Sequence, residues 1–338
     1  MQMSASTPKR SDGFPVAETK PLLLIACALI VNSHLEPFYP LSYLAADGLL
    51  GNSLFFFMSG FGIQASALSH ARPFKDYALR RIMRLYPSVI ICMVVFDLLI
   101  NRDFRFEGTQ DVIAHFVWPT HYTYIRLIVI FYVVLFLFTR WRWAWRYPVA
   151  IGLLCIAYLW AFSVDVETMV PGTRLSLGMR WTHVHDIAYL QVTLLGAWAA
   201  TQRFPDRKPL ALHALAVVML ASYFALKYLM VVKGILSSQY WILHLLILVL
   251  CLILFLTLTD RRLVDFLRQK RVVWSIVSFV SALTLEIYLV HSYLVEFPSL
   301  SSIVFPLNIA LFLIVSCCAA WLLHRINLSI RQPIEGRS

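Results

Sequence analysis

Long apolar runs, broken by short polar stretches rich in arginine, make up almost all of this 338-residue chain. A helix needs about 20 mostly apolar residues to cross the hydrocarbon of a bilayer, and about 17 suffice in places. By that measure the pattern predicts about ten transmembrane helices, over residues 21–36, 48–69, 85–100, 122–139, 147–164, 185–201, 209–232, 240–259, 273–296 and 303–324. The first and third are the shortest. No internal repeat and no low-complexity tract interrupts the series. The expected organisation is a polar N-terminal tail over 1–20, an all-α polytopic membrane domain over 21–325, and a C-terminal tail over 326–338.

Composition strengthens this picture. The chain is 60% hydrophobic and only 14% charged, whereas soluble proteins carry about 25% charged residues. So few charges cannot cover a water-exposed surface of this size. The net charge is +11, but the cations punctuate apolar runs and form no stripe on one domain, so no nucleic-acid partner is expected. Lys and Arg gather in alternate loops: Lys9 to Lys20, Arg72 to Arg84, Arg140 to Arg146, Arg203 to Lys208, Arg261 to Arg271, and Arg325 to Arg337. Cytoplasmic loops carry the excess of positive charge, which places both termini in the cytoplasm. The six cysteines lie inside apolar runs without Cys-x-x-Cys spacing, so neither a disulfide nor a zinc site is expected. The first twenty residues lack a small-residue cleavage site, and no removed leader is expected.

The candidate chemistry lies where polar groups enter the apolar runs, because ionisable residues at membrane depth are costly and often functional. Arg80-Arg81-Ile82-Met83-Arg84-Leu85-Tyr86-Pro87 sets three guanidiniums at the start of a span. Arginine suits bidentate phosphate recognition, so this stretch reads as a phosphate clamp or, alternatively, as a topogenic anchor. Asn32-Ser33-His34-Leu35-Glu36 closes the first helix, where an imidazole suits general-base work near neutral pH or simple hydration at the interface. Glu286 and His291 share one predicted helix. Their spacing of five sets them about 140° apart, so they need not pair. Ser59-Gly60-Phe61-Gly62 permits close helix packing. His183-Val184-His185-Asp186 is too common a spacing to argue a metal site, and no metal is expected.

In this order and spacing, the pieces resemble the acyltransferase-3 family of integral membrane acetyltransferases. The resemblance spans nearly the whole chain. It rests on the first helix ending in His34, on Phe55-Phe56-Phe57-Met58-Ser59-Gly60-Phe61, on the Arg-Arg-x-x-Arg-Leu-Tyr-Pro box at Arg80 to Pro87, and on Tyr288-Leu289-Val290-His291. The family typically places Arg or Lys eleven residues before the first-helix His. That position is Leu23 here, and the nearest cation is Lys20.

The resemblance implies transfer of an acetyl group from cytoplasmic acetyl-CoA to a hydroxyl of a cell-surface or lipid-linked glycan, by a protein of the bacterial inner membrane. It implies donor contacts from Arg80, Arg81, Arg84 and Tyr86, with Lys20 in place of the family's cation. His34 would act as general base or transient acetyl carrier, with His291 near it. Glu36 or Glu286 would orient an imidazole, and Asn32 and Ser59 are candidate donors to the oxyanion. The partners expected are acetyl-CoA, the glycan acceptor and the lipid bilayer. Oligomeric state stays open, with a homo-oligomer among the options. The competing readings are a multi-helix transporter, which would show broken helices or matching halves, and a non-catalytic component of polysaccharide assembly.

Overall fold

The structure is a computed structural model. It describes residues 16–45, 48–100, 108–119, 122–167, 182–235 and 239–335. Every regular element among the described residues is helical, and none is a strand. In chain order they are α1 (Lys20–His34), α2 (Gly48–Ser69), α3 (Phe74–Met93), α4 (Thr109–Val112), α5 (Thr123–Arg140), α6 (Arg146–Glu167), α7 (Thr182–Ala199), α8 (Leu210–Lys227), α9 (Trp241–Leu258), α10 (Arg261–Gln269), α11 (Arg271–Ala282), α12 (Thr284–Leu294), α13 (Pro298–Ser301) and α14 (Leu307–Glu335). Three of them run on as π-helical turns: α3 through Val94–Ile100, α4 through Ile113–Val117 and α8 through Tyr228–Val232.

Each of the ten expected segments contains helix, but fewer than ten pass as spans. Among the described residues seven helices are long and apolar enough to cross a membrane, and eight if α11 and α12 count as one span bent by 75°. Among the others, α1 is apolar but short, and α7 is enclosed by neighbouring helices. Helix α1, only 15 residues long, packs against α2, α9, α11 and α12, while α7 packs against α2, α5, α6 and α9. A helix wrapped by other helices does not need an apolar surface on every side. The break between α11 and α12 falls at Leu283, inside what reads as one apolar run. The last helix continues to Glu335, beyond the expected domain edge at 325.

The centre of the bundle is an aromatic layer. Phe56 stacks on Tyr189 with centroids 4.7 Å apart, and Tyr124 and Phe131 lie 5.0 Å and 5.4 Å from it. Phe57 and Phe61 contact Phe255 of α9. Backbone meets backbone where α2 crosses α7. A Cβ on Gly60 would lie 1.9 Å from the Thr193 carbonyl oxygen, and one on Gly196 would lie 1.9 Å from that of Phe57. Small residues permit this approach, as the Ser59-Gly60 motif suggests.

At the end of the bundle that holds the arginine box, α10 carries apolar and basic residues on opposite faces. Asp260 fixes it. This carboxylate is 1% exposed, caps α10 by accepting from the Arg262 N–H at 2.8 Å, and accepts from the Lys208 N–H at 2.8 Å. Arg262 and His213 lie 3.7 and 3.5 Å away. Burial pushes its pKa up, but the two N–H donors, Arg262 and His213 outweigh burial and hold it below the usual carboxylate value. A carboxyl with a depressed folded pKa stabilises the fold above its unfolded pKa, and that stability is lost as pH falls through the folded value. Asp260→Ala is therefore expected to destabilise the detergent-extracted protein by about 1–3 kcal/mol at neutral pH. The gap from wild type should close as pH drops below about 4. Thermal melts at both pH values check this; an equal gap at pH 7 and at pH 3 would refute it.

Candidate active site

A cavity of about 890 Å³ runs between α1, α2, α3, α5, α12 and α14. Along α2 its lining extends from Phe55 to Ser69, a rise of about 21 Å at 1.5 Å per residue. Ser66, Ser69, Arg81 and Arg84 line it, as do Phe55, Met58, Tyr124 and Tyr288. Because α2 ends at Ser69, close in sequence to the arginine box, the cations belong to one end and the aromatic group to the other.

Arg81 is positioned by two rings, with its guanidinium 5.5 Å from the centre of Tyr77 and 5.8 Å from that of Tyr132. A planar guanidinium stacks well on aromatic faces. Arg80, Arg81 and Arg84 have no carboxylate partner among the described residues, in contrast to Arg126 with Asp186 or Arg261 with Asp206. Arg80 lines a second, smaller pocket of about 60 Å³ with Arg72, Arg81 and Arg140, adjoining the first. Four guanidiniums thus converge where no acidic residue lines the pocket.

At the other end the cavity closes under an aromatic floor. Tyr288 lies 5.6 Å from Tyr124 and 6.3 Å from Phe55, and its hydroxyl accepts from the Tyr124 N–H. The Tyr124 hydroxyl is 2.7 Å from Ser59 Oγ. Beyond this floor lie His34 and His291, with ring centroids 4.9 Å apart and edge to face. Neither lines the cavity. Tyr288 links the two regions, since its ring is also 5.8 Å from that of His291.

The two imidazoles differ. His34, at the last residue of α1, is exposed, whereas His291 is 1% exposed. His291 Nδ1 is 3.0 Å from the carbonyl oxygen of Ile287, one turn earlier. A carbonyl only accepts, so Nδ1 carries the proton and the lone pair is on Nε2. That Nε2 is buried and has no hydrogen-bond partner among the described residues. An exposed imidazole over a buried one of fixed tautomer is an arrangement able to take up a proton.

Other expected site residues fall elsewhere. Glu36 lies exposed in the turn Glu36–Phe38, without a side-chain hydrogen bond or ion pair among the described residues, so it orients neither imidazole. Glu286 does pair with an imidazole, that of His324 on α14, with Oε1 3.0 Å from Nδ1. Asn32 spends both ends of its amide on the following loop, donating to the Leu44 carbonyl and accepting from the Tyr39 hydroxyl, so neither faces a developing oxyanion. Ser59 does line the cavity. Tyr86 is turned away, donating to the Val117 carbonyl. Lys20 donates to Ser278 Oγ at 3.0 Å and lies over Trp274, while Leu23 faces the cavity. Lys20 therefore does not supply a cation to the cavity wall. The His183 side chain lies outside the described residues. Its neighbour His185 packs 4.8 Å from His244, and Asp186 pairs with Arg126. Sequence reasoning missed His324, whose signal was an imidazole at the polar edge of the last apolar run.

The described residues thus form a helical membrane bundle with arginines lining its cavity and two imidazoles paired beside its aromatic group. A family model described as an acyltransferase domain matches residues 24–325. The chain belongs to that family, the acyltransferase-3 family, and is a membrane acyltransferase. No curated protein and no solved structure matches it.

Proposed function

We propose that the protein transfers an acetyl group from cytoplasmic acetyl-CoA to a hydroxyl of a cell-surface or lipid-linked glycan. The observation that carries this reading is the cavity itself. Its mouth offers unpaired guanidiniums to a polyanion, and its far end lies one aromatic layer below two imidazoles. The phosphates of coenzyme A meet Arg81 and Arg84, with Arg80, Arg72 and Arg140 beside them, through charge-assisted hydrogen bonds. The pantetheine arm rises along α2 towards Ser59 and Tyr288. The acceptor hydroxyl approaches from the opposite side, where His34 is exposed. His34 takes the hydroxyl proton, with His291 behind it as its partner. Ser59 and the Tyr124 hydroxyl are placed to donate to the oxyanion of the tetrahedral intermediate. This mechanism needs no metal. The arginine end faces the cytoplasm of a bacterial inner membrane, and both termini lie on that side, in accord with the positive-inside pattern.

The broken span α11–α12 is a feature that transporters also show, so the assay must detect chemistry rather than movement. Release of free coenzyme A from acetyl-CoA by purified protein supplies that test. Arg84→Ala is expected to raise the donor KM by about 10- to 100-fold, since a hydrogen bond to a charged group contributes about 1.5–3 kcal/mol, with the acceptor KM little changed. An unchanged donor KM would remove the clamp. No turnover by folded wild-type protein would move the weight to transport.

A further inference from the structure

We propose that His324, held by Glu286, is the general acid that protonates the coenzyme A sulfur as it leaves. The inference rests on the acetyl-CoA reading above and goes beyond it by dividing proton transfer between two imidazole sites.

The pair lies in the donor cavity. Glu286 is 4% exposed, on the first turn of α12, and its Oε1 is 3.0 Å from His324 Nδ1. A carboxylate only accepts, so Nδ1–H points at Glu286 and Nε2 is the exchangeable site. The His324 side chain is 27% exposed, and its Nε2 has no hydrogen bond among the described residues. Glu286 precedes Tyr288 by two residues, about 3 Å along the helix. The pair is therefore near the aromatic floor, where the thioester end of the donor arrives, and not at the arginine mouth.

The rest of the lining offers no rival. Among the residues that line the cavity, Glu286 is the single carboxylate and His324 the single imidazole. Arg81 and Arg84 do not give up protons, and the phenols of Tyr124 and Tyr288 are of a class far less acidic than an imidazolium. His34 and His291 lie beyond the floor. A thiolate expelled into a low-dielectric cavity is costly, and His324 Nε2, with no hydrogen bond among the described residues, is the site from which a proton can neutralise it.

The step balances. The acceptor hydroxyl gives its proton to His34 and its oxygen bonds to the acetyl carbon. The C–S bond breaks with its electron pair on sulfur, and sulfur takes the Nε2 proton of His324. His324 then recovers a proton from water in the open cavity, and His34 returns its own on the acceptor side.

A structural bridge between α12 and α14 would have the same geometry, so the test turns on the leaving group. Membranes containing the full-length protein would be supplied with labelled acetyl-CoA or with its selenoester analogue, whose selenol is far more acidic and leaves without a proton. His324→Gln is expected to slow transfer from acetyl-CoA by about 100-fold or more, to leave coenzyme A binding by calorimetry unchanged, and to transfer from the selenoester at close to the wild-type rate. Glu286→Gln should give a smaller loss with the same donor pattern, and stands in if the first variant does not fold. Equal losses with both donors, or wild-type transfer from acetyl-CoA, would overturn the assignment. If wild-type membranes transfer no acetyl from either donor, the acetyl-CoA reading fails first and takes this step with it.

Discussion

Replacing His34 with alanine is expected to abolish acetyl transfer while leaving the yield and melting temperature of the extracted protein close to wild type. His34 is the exposed member of the pair, so its loss leaves no buried void. Removing a general base slows a reaction by about 10²–10⁴-fold. His291 calls for a different replacement. It is buried, its Nδ1 is tied to Ile287, and its Nε2 has no partner among the described residues. His291→Ala would open a cavity in the packed interior, which confuses folding with chemistry. His291→Gln keeps an N–H for the carbonyl and removes the basic nitrogen. It should also lose transfer, with coenzyme A binding intact because neither imidazole lines the donor cavity. Full turnover by folded His34→Ala protein would rule out its role as base.

The largest effect on folding is expected where α2 crosses α7. Gly60→Ala would drive a methyl to 1.9 Å from a carbonyl oxygen of α7, and Gly196→Ala would do the same to α2. Both obstacles are backbone, so no side chain can swing aside and the helices must move apart. Overpacking a tight interior costs about 1–3 kcal/mol. Here the parting helices also carry the stacked Phe56 and Tyr189 with them. Gly152→Ala is the control. It lies in α6 with nothing within 4 Å of the added methyl, and alanine in a helix interior is better than glycine by about 1 kcal/mol. Thermal melts should show a large drop for the first two and none for the third. A Gly60→Ala protein as stable as wild type would mean that the helices are not in backbone contact.

Ser59, Arg81, Arg84 and Glu286, which line the cavity, stood out in the sequence, and what did not stand out shares a cause. Hydropathy reports contact with lipid. It found the apolar runs, but it did not separate α1, which is short, and α7, which other helices enclose, from the helices that are long and apolar enough to span. It passed over the bend at Leu283 because residues 273–296 contain neither Pro nor Gly, the usual signs of a break. Spacing did better. The 140° between Glu286 and His291 correctly said that they need not pair, and they face different partners on different helices. The partner of Glu286 was hidden because residues 38 positions apart meet only once α12 and α14 pack together. Lys20, nearest in sequence to the family's cation position, turns instead to Ser278 and Trp274, and sequence proximity could not show which face of α1 it occupies.

The aromatic floor has an electrical consequence. If water fills the cavity as far as Phe55, Tyr124 and Tyr288, the voltage across the membrane would fall mainly over the layer between those rings and the imidazoles. An ion crossing there would exchange about 2.3 kcal/mol with each 100 mV. In the proposed mechanism a proton is released beside His34 for each one that His324 takes up, so every transfer would move one charge across that layer. The rings that part the two chambers act as insulation between turnovers, and an enzyme with chemistry on both sides of a membrane need not be a leak in it.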